Sequence, residues 1–310
     1  MGSPFTDRHF EPDAALYRRM FFTMALVAGV YAAAVLPFFL VGGPLWGLAA
    51  VAAAVASAVV QCRWADRFVL WATGAREVTA AAEPELHALV DRLCVSAGLP
   101  KPRVAVAATP VPNAFAAGSG PGSAIICVTD GLRDALGPAG LNAVLGHEIA
   151  HIRNRDVLIA GIAVFPCLCA DLFLGFWTGL LRPRGPLGPF GTALAVPLLP
   201  LAVAAAALYA AGLVTSMALS RHRELCADAT GTLLTGRPTD LAAALGRLDD
   251  EVRDADAADR RALRPVSGLC VVPVRGRRRD AAGLLSSHPT LARRVARLTL
   301  ISRRLAAGGR

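Results

Sequence analysis

Leu141–Asp156 reads LNAVLGHEIAHIRNRD and carries His147-Glu148-Ile149-Ala150-His151. In a helix, residues four apart stand one above the other. Both imidazoles therefore leave the same face and can grip a single metal ion, with Glu148 beside them to act on water. No proline or glycine interrupts Leu141–Leu145 or Glu148–Val157, and Ala143, Val144, Ile149, Ala150 and Ile152 supply apolar faces. The spacing predicts a buried helix. With six histidines in 310 residues, a chance His-Glu-x-x-His is rare. The bland alternative is a pair of surface histidines on an ordinary helix, and a third ligand elsewhere in the chain weighs against it.

Hydrophobic residues make up 55% of the chain and charged residues 18%. That mixture is too apolar for a soluble protein and too charged for a wholly embedded one. Four apolar runs hold the excess. Phe21–Val41 reaches the length of about 20 residues that a spanning helix needs. It does not resemble a cleaved signal, because its apolar part is too long and Asp7, Glu11 and Asp13 precede it. Gly42-Gly43-Pro44 breaks it, and Leu45–Gln61 follows as the second run. Val157–Leu181 is the third, interrupted by Pro166; the Pro/Gly turn LRPRGPLGP leads to the fourth, Phe190–Leu219, with kinks expected at Pro197 and Pro200.

The predicted organisation is a polar segment at 1–20, a transmembrane hairpin at 21–61, a first catalytic part at 62–156, a second hairpin at 157–219 and a second catalytic part at 220–310. This is a mainly α integral membrane protein of four transmembrane helices with a small α+β domain at the membrane face. In the polar parts, Glu83–Ala97 has helical spacing and ends at Gly98-Leu99-Pro100, and Arg103–Ala107 is a short strand. Pro112–Ala116 and Ser123–Val128 read as strands of a hairpin around Gly118-Ser119-Gly120-Pro121-Gly122, which lacks the spacing of a phosphate cradle. The tail holds an amphipathic helix (Asp240–Val252), a solvated segment (Asp254–Arg264), a strand-like Leu269–Val274, a basic loop (Arg275–Arg279) and a helix over Leu291–Leu300, opened by Ser287-His288-Pro289.

The net charge of +9 rests on arginine, Lys101 being the only lysine. These arginines flank apolar runs and suit an anionic leaflet and not nucleic acid. Arg8, Arg18, Arg19, Arg63, Arg67, Arg76, Arg153, Arg155, Arg221 and Arg223 fall on the motif's side of the predicted hairpins, and only Arg182 and Arg184 fall opposite. The bias places the catalytic face in the cytoplasm. Seven cysteines without a repeating spacing give no disulfide framework and agree with a reducing compartment.

The histidine pair precedes the third run and Ser220–Asp228 follows the fourth, so one hairpin returns both to the same face. A helix continuing to Val157 puts His151 ~9 Å before the membrane. Glu224 is the predicted third ligand, and Asp228, one turn on, is placed to hold a ligand imidazole by its far nitrogen. His222 is a rival, out of phase with Glu224. Two histidines and one carboxylate leave an open place on tetrahedral zinc.

GHEIAHIRNRD, SRHRELCAD and SHPTLARRVARL, in this order around two hydrophobic hairpins, resemble the HtpX-like zinc metalloproteases of bacterial membranes, relatives of the membrane-embedded CAAX prenyl proteases. The resemblance covers about Phe21–Leu298. It implies a gluzincin-like domain holding one zinc ion per chain through His147, His151 and Glu224, with Glu148 as catalytic acid and base. It further implies that Asn113, Ala114 and Phe115 form an edge strand that pairs with extended substrate, and that His288 and Arg294 stabilise the oxyanion or bind substrate carbonyls. From the residues alone, the favoured reading is that His288 is the start of a capped helix and Arg294 a solvated charge. Leu225-Cys226 and Thr290 depart from the aromatic, acidic and proline residues usual in the family. The implied activity is endopeptidase cleavage of damaged or misassembled membrane proteins, in quality control or stress response at the bacterial inner membrane. The alternatives are a specific processing protease for prenyl-peptide or signalling substrates, and a non-catalytic, zinc-stabilised membrane sensor or assembly factor.

Overall fold

The structure, a computed structural model, describes residues 14–118, 120–182, 188–274 and 286–308; Arg8, Arg184 and the basic loop 275–279 lie outside the described residues. In chain order the elements are α1 (Ala14–Thr73), β1 (Arg76–Glu77), α2 (Pro84–Ala97), β2 (Arg103–Ala107), β3 (Ala114–Ala117), β4 (Ile125–Thr129), α3 (Asp130–Ala135) and α4 (Pro138–Arg153). There follow α5 (Asp156–Leu180), α6 (Pro189–Ala195), α7 (Leu199–Thr235), α8 (Pro238–Asp254), α9 (Ala257–Leu263) and α10 (Leu291–Gly308). The chain is thus mostly helical, with one small sheet. It divides into two compact units, one containing Gln61–Ile159 and Ser220–Arg310, the other Ala14–Val60 and Ala160–Leu219.

In the first unit the sheet order is β1-β2-β4-β3, with β2 and β4 parallel and the other pairs antiparallel. Central β4, IICVT, is buried along its whole length, which is why it reads as a continuous apolar run and not an alternating one. The β3–β4 hairpin turns at Gly118, where φ is 119° and a Cβ would lie 2.6 Å from the Ser123 carbonyl oxygen, so only glycine fits. Thr129 ties three pieces together: its hydroxyl oxygen accepts from the Leu132 amide that opens α3 (3.1 Å) and from the Asn113 amide (2.8 Å), and donates to the Asn113 carbonyl (3.0 Å). Helix α2 begins with Pro84 and ends at left-handed Gly98 (φ 65°), as its flanking residues predict.

Helix α4 is buried on every side from Ala143 to Ile152 and packs on α2, α8 and β3. It crosses α7 at two glycines. A Cβ on Gly231 would lie 2.9 Å from the His147 Cα, and one on Gly146 would lie 2.6 Å from the Thr235 methyl. The absence of both side chains brings α7, with Glu224, against α4.

Two sequence expectations are not met in this unit. The motif helix does not continue into the third apolar run, because Arg155 takes φ 55° and the chain restarts as a helix at Asp156. Arg155 is the only non-glycine with positive φ among the described residues. Leu269–Val274 is not a strand either: Pro273 has no N–H to continue a ladder, and the segment meets β3 through one main-chain bond, Val271 N–H to Ala114 O at 3.0 Å.

The second unit is helical. Gly43 (φ 77°, ψ −177°) breaks α1 where the Gly-Gly-Pro stretch predicts, and the Phe39 ring sits where a side chain on position 47 would otherwise stand. Helices α5 and α7 meet closely: a Cβ on Gly212 would lie 2.6 Å from Cys167 Sγ, and Ser216 Oγ donates to the Ala163 carbonyl at 2.8 Å. Large apolar side chains face outward, among them Leu40, Leu45, Leu172 and Phe190. Among the described residues two stretches are long and apolar enough to cross a membrane, Gly43–Gln61 and Leu199–Thr235, while Met20–Leu36 and Cys169–Leu180 are apolar and shorter.

Gly231→Ala should lower the thermal midpoint of the detergent-solubilised protein, by the roughly 1–3 kcal/mol that overpacking costs. Gly246→Ala, where a Cβ meets nothing within 4 Å, should leave it unchanged or raise it. Equal midpoints for the two variants would contradict the close crossing of α4 and α7.

Candidate metal centre

Helix α4 stacks His147 and His151 one turn apart, with their Nε2 atoms 3.0 Å from each other. Glu224, on α7, points between them: Oε2 is 3.6 Å from His147 Nε2 and Oε1 is 3.5 Å from His151 Nε2. One ligand atom from each of the three residues lies within 4.8 Å of the others, and all three residues are buried. Two imidazole nitrogens aimed at each other and at a carboxylate whose Oε2 has no hydrogen-bond donor form a set of lone pairs that a cation satisfies. With two nitrogens and one carboxylate the protein fills three places of a tetrahedral site. The rival His222 is not in the group.

Each imidazole is backed by a carboxylate, and each carboxylate by an arginine. His147 Nδ1 lies 3.0 Å from Asp228 Oδ1, and Arg294 grips Asp228 with both arms of its fork, Nε to Oδ2 at 2.9 Å and Nη2 to Oδ1 at 2.7 Å. His151 Nδ1 donates to Asp156 Oδ2 at 2.6 Å, and Arg223 Nε lies 3.1 Å from Asp156 Oδ1. Asp228 was legible one helical turn after Glu224. Asp156 was not, because an aspartate five residues after His151 faces elsewhere in an unbroken helix. Only the left-handed Arg155 brings it back.

Burial draws the His147 pKa down, but the carboxylates of Asp228 and Glu224 beside it outweigh that and carry the pKa up to about 9. A metal entering at neutral pH must therefore displace a proton there. Glu148 is 1% exposed, and neither of its carboxylate oxygens has a hydrogen-bond partner. Burial pushes its pKa upward against the pull of His151 and His147, the direction that suits a group which takes and returns a proton.

The remaining predicted residues lie nearby with different commitments. His288 is buried, its Nδ1 3.4 Å from Glu224 Oε2 and its Nε2 without a hydrogen-bond partner. Arg294, also buried, is 3.5 Å from Glu224 Oε2 through Nη1, but its fork is engaged by Asp228 and the Val271 carbonyl. Neither is a solvated charge or a simple cap. Ala114 and Phe115 begin β3, the edge strand, Asn113 precedes it, and all three are fully buried.

A model of peptidase family M48 matches residues 80–302. A protein named Protease HtpX homolog from Moorella thermoacetica is 36% identical over 294 residues, covering 94% of this chain and 96% of its own length. Protease HtpX homolog 2 of Methanosarcina acetivorans is 36% identical over 300 residues, covering 94% and 97%. Among solved structures, that of S. mikatae Ste24p matches 89% of this chain and 67% of its own, with 19% identity and a TM-score of 0.48.

Asp156→Ala should weaken metal binding by about 10–100-fold, the usual effect of removing a carboxylate behind a ligand histidine. Competition with a chromophoric chelator measures it. Affinity equal to the wild type would show that the Asp156 contact does nothing for the site.

Proposed function

The chain belongs to peptidase family M48 and is a membrane metalloprotease, and we propose that it is a zinc endopeptidase whose zinc, one ion per chain, is held by His147, His151 and Glu224. The observation that carries this reading is the convergence of these three residues around Glu148, whose buried carboxylate has no partner. In a structural zinc site four protein ligands normally close the shell and no free carboxylate stands beside it. Zinc in such a site supplies Lewis acidity, acidifying water and polarising a carbonyl.

The chain's own residues perform the rest. Glu148 takes the proton from the attacking water as its oxygen bonds to the scissile carbonyl carbon, then delivers that proton to the departing amine as the carbon–nitrogen bond breaks. Asp228 and Asp156 hold the imidazoles of His147 and His151 in orientation through their far nitrogens. His288 offers an uncommitted nitrogen to the developing oxyanion, with Arg294 as the alternative donor. Substrate enters extended along Asn113, Ala114 and Phe115, adding a strand to the β3 edge of the sheet.

The proposed topology has four spans, with hairpins at 21–61 and 157–219 and catalytic parts at 62–156 and 220–310. The catalytic face is cytoplasmic at the inner membrane, as the arginine bias indicates. The proposed substrates are damaged or misassembled membrane proteins, in quality control or stress response.

Glu148→Gln should keep its metal and lose cleavage of unfolded casein by about 10²–10⁴-fold, the usual contribution of a general base. A variant that cut at the wild-type rate would remove Glu148 from the mechanism.

A further inference from the structure

The substrate edge already has an occupant. In the β3–β4 pair Asn113 and Thr129 face each other and bond through the Asn113 carbonyl, so positions 114 and 116 turn their main-chain groups outward. Both outward groups of Ala114 are taken. Its carbonyl accepts from Val271 N–H at 3.0 Å, and its N–H donates to Asn113 Oδ1 at 3.2 Å. The Asn113 carboxamide also clamps Val272 from both sides, Nδ2 donating to the Val272 carbonyl at 2.8 Å and Oδ1 accepting from its N–H at 3.4 Å. Arg294 Nη1 donates to the Val271 carbonyl at 2.8 Å, while its Nη2 stands 3.5 Å from His147 Nε2. The chain's own peptide groups thus sit beside the metal ligands, on the side chains and main chain assigned above to substrate.

A permanent neighbour of β3 would extend a ladder along it. This segment does not. It is irregular, makes one main-chain bond to the strand, and ends in Pro273, leaving outward-facing Ala116 bonded to no other described segment. Its hold on the cleft comes from Asn113, Arg294 and the burial of Cys270, Val271 and Val272 among apolar side chains.

We propose that Cys270–Val272 is a built-in pseudosubstrate, seated where an extended peptide binds, so that the protease stays closed until a peptide of like character displaces it. The inference rests on the metalloprotease reading above and names its substrate class. Asn113 and Arg294 engage only the main chain of this segment, so the pockets select side chains: extended, uncharged, β-branched apolar segments fit, and acidic ones do not.

Hydrogen exchange on the zinc-loaded full chain in nanodiscs, with and without saturating N-acetyl-Val-Val hydroxamate, tests this directly. The Val271 and Val272 amides should exchange at least about tenfold faster with the hydroxamate bound, as a displaced segment would. Unchanged or slower exchange while the hydroxamate blocks casein cleavage would overturn the pseudosubstrate alone. A zinc-loaded protein that neither binds the hydroxamate nor cleaves casein would overturn the metalloprotease reading and this inference with it. In a second measurement, Val272→Ala loosens the seat without touching β3 and should raise kcat/KM for a short fluorogenic apolar peptide about fivefold. A fall would mark the segment as a fixed wall. The peptide GLCVVPV, the sequence of Gly268–Val274, should inhibit competitively, and its Val272→Asp form should not; equal inhibition by both would remove the claimed selectivity.

Discussion

Four carboxylates, Glu148, Asp156, Glu224 and Asp228, are buried around three imidazoles, His147, His151 and His288, and among the described residues two guanidiniums, Arg223 and Arg294, are buried with them. Charge taken out of water without compensation is among the most destabilising arrangements a protein can hold. With neutral imidazoles and all four carboxylates ionised the cluster is two charges negative, a deficit that one divalent cation closes. Without the cation His147 closes part of it by keeping a proton up to a pKa of about 9. The rest of the first unit serves this balance. The glycines at 146 and 231 let α7 approach, the left-handed Arg155 returns Asp156 to His151, and Arg294 crosses from α10 to Asp228.

What could be read from the sequence were the parts fixed by local periodicity. His147, Glu148 and His151 follow from one helical turn, and Glu224 with Asp228 from the next-ranked spacing of the same kind. The glycine-broken first apolar run and the β3–β4 hairpin follow from residues that admit few conformations. Asp156 was hidden because its role depends on a single backbone angle at Arg155, and no residue type at that position announces positive φ. The clamp of Asn113 on Val272 was hidden for a different reason: its partners are 159 residues apart, and only the packed domain brings them together. The strand-like pattern of Leu269–Val274 did register as apolar and extended, but periodicity carries no information about which neighbour such a segment meets.

The same balance bears on access. His147, Glu148, Glu224 and Arg294 are each at most 6% exposed, so the cluster that must meet a protein substrate is closed by the chain itself. A closed site of low dielectric strengthens every electrostatic contact within it. It also makes entry of substrate a conformational event, which the proposed displacement of Cys270–Val272 from Asn113, Ala114 and Arg294 would supply.

The central claim is that three residues from two helices, α4 and α7, hold one zinc ion, and metal analysis by mass spectrometry of purified wild type beside Glu224→Ala tests it most directly. The account predicts one zinc per chain in the wild type, removable by chelator, and little or none in the variant. A Glu224→Ala protein that is folded and retains its full zinc would contradict it, and would move the third ligand to another residue.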